Sequence, residues 1–131
     1  MNINRLIQYA FKLDAECRRS TADHPRYRHF TFLLDKSRIV TIGRSRNRKT
    51  HPIAAKYGYR RSIHSELDAV LRLDKEGEAN GLVMFNTQIV QGDRISMAKP
   101  CPICQRFIRD VGIRSVIYTN HDGDIIYGTV Q

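Results

Sequence analysis

Apolar residues recur at helical spacing in three segments of the chain. Residues 3 to 18 carry them at i, i+3, i+4 and i+7, which predicts an amphipathic helix. A second helix is predicted from Ile63 to about Leu73, with Ser62 as its N-cap. A third is predicted from Pro102 to Val111 and would end at Gly112. Each helix would bury one apolar stripe.

Runs of β-branched and aromatic residues lie between these helices. Phe30–Leu34 and Arg38–Ile42 are separated by three polar residues, which predicts a hairpin. Another strand is predicted over residues 82–90. Residues 115–119 and 124–130 flank a polar turn, so they predict a second hairpin and an antiparallel last pair.

The predicted order of elements is helix, strand, strand, helix, strand, helix, strand, strand. No repeat, low-complexity tract or linker interrupts it, so we expect a single domain over residues 1–131. A hairpin combined with helical crossovers predicts an α/β fold with a mixed sheet flanked by helices. Residues 19–29 and 44–52 have no period and are predicted to be loops.

Composition excludes several classes of protein. No apolar run is long enough to cross a bilayer, and the first residues lack the continuous apolar region of a secretory signal. Three cysteines cannot form a disulfide framework of even count. Two of them, Cys101 and Cys104, lie three residues apart, which suggests metal binding in a reducing compartment. We therefore expect a cytoplasmic protein with no membrane partner.

The net charge of +9 is unevenly distributed. Residues 18–61 contain 13 Lys and Arg against two Asp, a net charge of +11, whereas the remainder has a net charge of −2. Such segregation indicates a phosphate-bearing partner, although a solvated basic face has the same signature. The cations that we predict to hold phosphate are Arg44, Arg46, Arg48, Lys49, Arg60 and Arg61. Nearby Tyr57 and Tyr59 could stack on a base or serve as packing residues.

Two short motifs carry the chemistry. His64 and Glu66 lie two residues apart at the start of the second predicted helix, and Cys101 and Cys104 lie at the start of the third. One imidazole and two thiolates can bind zinc and leave one tetrahedral position open, as in catalytic zinc sites. Glu66 beside them can act as a general acid and base. This combination is the signature of zinc-dependent nucleobase deaminases.

Two other interpretations of these cysteines remain. A structural zinc site would need a fourth ligand, for which His51, His121 and Cys17 are candidates without useful spacing. A redox cysteine pair would leave His64 and Glu66 unexplained. Cys17 itself continues the apolar stripe of the first helix, so a buried packing role is expected for it.

With these motifs in place, the chain resembles the cytidine deaminase superfamily over nearly its whole length. The segments Lys49–Pro52, Tyr57-Gly58 and Ser96–Lys99 also resemble short viral and bacterial deaminases of the cytidine or deoxycytidylate type. The resemblance implies a cytidine deaminase-like three-layer α-β-α sandwich with a mixed five-stranded sheet. It implies one zinc ion per chain and a homo-oligomer. In relatives, an Asn in the loop after the second strand contacts the sugar, and the resemblance makes Asn47 the nearest candidate for that role.

The implied activity is hydrolytic deamination of cytosine to uracil in a nucleotide or a single-stranded nucleic acid. Alternatives are a free cytidine or deoxycytidine deaminase, and a non-catalytic zinc domain that binds nucleic acid. Ser65 stands where many relatives have Ala or Val. The antiparallel last pair resembles free-nucleoside deaminases and differs from the transfer-RNA adenosine and polynucleotide cytosine branches, whereas the basic segment favours a phosphorylated or polymeric substrate.

Overall fold

The computed structural model describes residues 2–20, 28–47, 51–58, 62–75 and 77–129. The elements, in chain order, are α1 (Ile3–Ser20), β1 (Arg28–Asp35), β2 (Arg38–Arg44), β3 (Arg46–Asn47), α2 (Pro52–Tyr57), β4 (Ser62–Ile63), α3 (Ser65–Leu71), β5 (Val83–Val90), β6 (Arg94–Ser96), α4 (Pro102–Asp110), β7 (Ser115–Thr119) and β8 (Ile125–Thr129). Each helix and strand predicted from the pattern is present, with bounds shifted by a few residues.

The main sheet is mixed, as predicted. Its strands run in the order β2-β1-β5-β7-β8, and the short strand β6 pairs with the end of β5. The β5–β7 pair is parallel, whereas β1–β2, β1–β5, β5–β6 and β7–β8 are antiparallel. The antiparallel last pair is therefore confirmed. β6 and the separate two-stranded β3–β4 ribbon were not predicted, because strands of two or three residues are too short to show a period.

Helices cover both faces of this sheet. Alternate residues of a strand point to opposite faces, and two apolar clusters of the described residues follow that alternation. Phe30, Phe32 and Phe85 pack with the apolar stripe of α1. Their neighbours Leu33 and Met84 pack in the other cluster, against α3 and α4. The fold is a three-layer α-β-α arrangement.

Gly43 brings β2 and α3 unusually close together. It is buried within β2, which continues one residue further, and a Cβ atom at this position would lie 2.3 Å from both the Ser65 carbonyl oxygen and the Ala69 nitrogen. Only glycine permits this approach of two backbones. The contact places the start of α3 directly against the sheet.

Two local predictions were wrong. Residues 44–52 were expected to be a loop, yet Pro52 begins the short helix α2, capped by the His51 side chain, which accepts a hydrogen bond from the Ile53 amide at 3.1 Å. Ser62 was expected to cap α3, but it pairs in β4, and His64 occupies the N-cap position. In the described part of the chain, no helix combines the length and apolar character needed to cross a membrane.

Candidate metal centre and active site

The candidate centre lies where the beginnings of α3 and α4 meet. His64 is the N-cap residue of α3 and has an extended backbone, so its side chain projects from the helix start. Cys101 is the N-cap residue of α4, and Pro102 follows it in the first turn, where its fixed φ suits helix initiation. Cys104 lies one turn further on the same side of α4 and is buried. His64 is 37 residues from Cys101 and 40 residues from Cys104 in sequence, yet the three side chains are adjacent in space.

The distances between these side chains suit a tetrahedral zinc ion. The Nδ1 atom of His64 lies 3.4 Å from the Sγ atom of Cys104 and 3.8 Å from that of Cys101. The ligand atoms of all three residues lie within 4.8 Å of one another. Zinc bonds of about 2.3 Å to sulfur and about 2.0 Å to nitrogen, at tetrahedral angles, require a nitrogen–sulfur separation of about 3.5 Å. The three residues could therefore hold a metal ion with little adjustment.

The electrostatics of the centre favour a thiolate. Hydrogen bonding to the Cys104 side chain and to His64 lowers the pKa of Cys101 to about 3, although burial acts in the opposite direction. The Sγ atom of Cys101 also accepts from the Cys104 amide at 3.5 Å. The hydrogen bond to Cys101 in turn raises the pKa of His64, against the effect of burial. The centre therefore favours a Cys101 thiolate, and a proton on the His64 imidazole would compete with a metal ion for the same nitrogen.

Glu66 lies in the first turn of α3 and is buried, with 6% of its surface exposed. Its Oε1 atom accepts a hydrogen bond from the Ser65 hydroxyl at 3.0 Å. The negative charge is favourable at this position, because the first turn of a helix presents unpaired amide groups. Its charge acts on the His64 imidazole, so a buried carboxyl lies near the potential ligands, as a general acid and base requires.

His29 was missed by the sequence analysis, which placed residue 29 in a loop. It lies in β1 on the same strand face as Thr31, which contacts the start of α3 through Ser65. Burial lowers the pKa of His29, and the charges of Glu66, His64 and Cys101 also act on it. A partly buried imidazole therefore lies close to the candidate centre. Its sequence neighbours show no motif that would have indicated this.

The structure places two of the predicted phosphate-binding cations in contacts within the protein. The Nε atom of Arg46 lies 2.9 Å from the Asp68 carboxylate, and an Nη atom of Arg44 lies 2.8 Å from the Cys17 Sγ atom. Asn47 pairs with Ser62 through the β3–β4 ribbon, and its side chain lies outside the described part. The remaining predicted cations, Arg48, Lys49, Arg60 and Arg61, lie outside the described residues.

The structure shows the positions of two alternative ligands, His51 and His121, and of Tyr57. In the described part of the chain, His64, Cys101 and Cys104 form one group of potential metal ligands. The side chain of His51 caps α2, and His121 is exposed in the turn before β8. Tyr57 packs edge-on against Phe107, with ring centroids 5.2 Å apart, and donates to Asp110 at 2.7 Å. Tyr59 lies outside the described residues.

No protein-family model matches this sequence, and a search of curated proteins found no match. Solved structures do match in fold. The dCMP deaminase of the cyanophage S-TIM5 in complex with dCMP and dUMP aligns with a TM-score of 0.54 at 18% identity, covering 92% of this chain and 84% of its own. Its apo form aligns with a TM-score of 0.51 at 18% identity, covering 88% and 83%. This chain therefore has the fold of the dCMP deaminases, which are members of the cytidine deaminase superfamily.

Proposed function

We propose that the protein is a zinc-dependent hydrolytic deaminase that converts cytosine to uracil in a mononucleotide and releases ammonia. One observation carries the proposal. His64, Cys101 and Cys104 converge within 4.8 Å next to buried Glu66, on a fold shared with dCMP deaminases. The donor set of one nitrogen and two sulfurs suits zinc and leaves a tetrahedral position open for a fourth ligand.

When bound, zinc supplies a Lewis acid that makes a water molecule nucleophilic near neutral pH. Glu66 would accept one proton of the attacking water at its carboxylate and pass it to the ring nitrogen of cytosine. It would then accept the second proton, from the oxygen that has added to the ring, and pass it to the amino group, which leaves as ammonia. The buried position of Glu66 excludes bulk water from the carboxyl, so that proton transfer stays between the protein and the substrate.

Two residues prepare the centre for the metal. The low pKa of Cys101 keeps this side chain a thiolate across the physiological pH range. The backbone of His64 at the N-cap of α3 holds its imidazole toward both sulfurs. A reducing cytoplasmic location, in which the thiolates stay unoxidised, is part of this proposal.

Three observations support a mononucleotide substrate against a polynucleotide. The antiparallel β7–β8 pair differs from the arrangement that the polynucleotide branches imply, and it is the arrangement that resembles free-nucleoside deaminases. Arg46 is also bound to Asp68, so this cation is not free for a long phosphate backbone unless that pair opens. The structural neighbour described above was solved with dCMP and dUMP, which supports a deoxycytidylate substrate. The cations 48, 49, 60 and 61 stay predicted phosphate ligands.

The test is product analysis by mass. The protein is incubated in parallel with cytidine, deoxycytidylate and a mixed single-stranded oligonucleotide, and zinc content is measured on the same sample. We expect a gain of 1 Da, amine to carbonyl, in deoxycytidylate, with stoichiometric zinc. Conversion of cytidine alone would support a free-nucleoside deaminase, and conversion of the oligonucleotide would support the polymeric alternative.

Glu66→Ala separates the enzyme from a non-catalytic zinc domain that binds nucleic acid. A deaminase loses ammonia release but keeps its zinc, because Glu66 is not among the grouped ligands. A binding domain loses neither zinc nor nucleic-acid affinity. Absence of product with all three substrates from zinc-loaded wild-type protein would refute the proposed activity.

A further inference from the structure

A buried chain of polar side chains runs from the sheet to Glu66. The Ser65 hydroxyl lies 3.0 Å from Glu66 Oε1 and 2.8 Å from the Thr31 hydroxyl. The Thr31 hydroxyl lies 2.7 Å from the side-chain amide of Asn86. Ser65, Thr31 and Asn86 are at most 2% exposed. The chain thus connects α3 to the adjacent strands β1 and β5, where Thr31 and Asn86 are register partners.

Each hydroxyl in this chain needs its neighbour to complete its hydrogen bonds. A hydroxyl has one proton to donate, so Ser65 cannot donate to both Glu66 and Thr31. Thr31 donates its proton to Ser65, so it can only accept from Asn86, which requires the Asn86 amide to be turned so that its NH2 group takes the position of Oδ1, 2.7 Å from Thr31. Because every polar atom named here has a partner, the chain avoids the cost of burying unsatisfied groups.

The burial of three adjacent polar side chains brings little net stability. Each hydrogen bond within the protein replaces one to water, so that apolar groups of the same shape in place of both partners can be nearly neutral or stabilising. The chain also ends at a single group, the carboxyl of Glu66. Its geometry is therefore better explained by the placement of that carboxyl than by the stability of the fold.

We propose that Ser65 and Thr31 are positioning residues that hold the Glu66 carboxyl in its productive rotamer. This inference rests on the proposed deaminase function. A hydroxyl can donate to a carboxyl group or accept from it, so the contact holds the side chain throughout proton transfer. It also gives a role to Ser65, at a position where Ala would leave Oε1 of Glu66 without this partner. A misplacement of about 1 Å can reduce a rate by about 100-fold.

The test compares Ser65→Ala and Thr31→Val with Thr41→Val. Thr41 is the matched control, because its hydroxyl also bonds to α3, at the Ala69 carbonyl oxygen 2.9 Å away, without contacting Glu66. We expect Ser65→Ala to lower kcat about tenfold and Thr31→Val to lower it severalfold, with KM and zinc content unchanged. Thr41→Val should leave kcat unchanged. Ser65→Thr, which keeps a hydroxyl, should restore most of the rate.

Two further measurements separate positioning from a structural role. In a Glu66→Ala background, Ser65→Ala should cause no additional loss, since residues that act as a unit are non-additive. A crystal structure of zinc-loaded Ser65→Ala should show the Glu66 side chain in more than one rotamer. Unchanged kcat and an unchanged Glu66 rotamer in both Ser65→Ala and Thr31→Val would overturn the inference, as would equal losses in Thr41→Val.

Failure of this positioning role can be distinguished from failure of the proposed deaminase function. If zinc-loaded wild-type protein deaminates none of the three substrates, the proposed function fails, and the rotamer of Glu66 in Ser65→Ala still decides whether Ser65 positions it. If the wild-type protein is active and Ser65→Ala does not fold, Thr31→Val provides the same comparison one step further from Glu66.

Discussion

The guanidinium of Arg46 lies 2.9 Å from the carboxylate of Asp68. Asp68 is buried in α3, and its carboxylate also accepts from the Arg44 amide at 3.0 Å and from Arg72 Nε at 3.0 Å. The end of β2 and the start of β3 are thereby attached to α3, the short helix that has His64 as its N-cap and Glu66 in its first turn. The ion pairs of Asp68 with Arg46 and Arg72 therefore help to hold α3 in place, in addition to any role of these cations in binding a ligand.

Asp68→Asn should destabilise the protein. The substitution keeps the shape of the side chain but removes the charge that Arg46 and Arg72 neutralise. We expect the free energy of unfolding to fall by about 2 kcal/mol, measured by chemical denaturation. Asp35→Asn is the control, because the Asp35–Arg38 pair is exposed and 3.5 Å apart, and should cost less than about 0.5 kcal/mol. Equal effects of the two substitutions would contradict this role for Asp68.

Replacement of each cysteine by serine should distinguish the metal ligands, Cys101 and Cys104, from the packing residue Cys17. Cys101→Ser and Cys104→Ser should each lower bound zinc at least tenfold, measured by elemental analysis after dialysis, because each removes a thiolate donor. Cys17→Ser should retain full zinc, since Cys17 contacts Arg44 in another part of the fold. Zinc loss in Cys17→Ser would show that the assigned ligand set is wrong.

Zinc affinity should fall as the pH falls. Zinc requires neutral His64, and the pKa of His64 is raised by its hydrogen bond to Cys101. Below that raised pKa the proton competes with the metal, so His64 alone should weaken zinc binding by about tenfold per pH unit. Above about pH 5, Cys101 adds no further dependence, because its pKa is about 3. Chelator competition at several pH values measures the slope, and an affinity independent of pH from 5.5 to 7.5 is the contrary result.

Gly43→Ala should disrupt the packing of α3 on β2. The added methyl group would lie 2.3 Å from two backbone atoms of α3, which cannot move aside as a flexible side chain could. We expect a loss of stability of about 3 kcal/mol, at the upper end for overpacking, together with a fall in deaminase activity. Thermal unfolding followed by circular dichroism provides the measurement.

Gly128→Ala is the control for this substitution. Its added methyl group would meet the Val116 carbonyl oxygen at 3.3 Å, near the edge of the sheet and away from α3. We expect a loss below about 1 kcal/mol. If Gly43→Ala proves as mild as Gly128→Ala, then α3 can shift without cost and its close contact with β2 does not hold the site.

The sequence by itself determined the main elements, the mixed sheet and the residues of the candidate centre. Helical and alternating patterns depend on local burial, and they located α1, α4, β5 and β7 because these elements are long and strongly periodic. The motif residues were found for a different reason. Few arrangements of His, Cys and Glu at such spacing have another chemical explanation.

Only the tertiary structure decided the surroundings of that centre. His64, Cys101 and Cys104 come within 4.8 Å because α3 and α4 pack on the same face of the sheet, a relation that no local pattern contains. Thr31 and Asn86 look like ordinary strand residues until β1 and β5 pair and bring them beneath Ser65. Arg46, predicted from charge to bind phosphate, is bound to Asp68 22 residues away. Charge and polarity can be read along a chain, but the partner of a charged or polar group is set by which elements pack together.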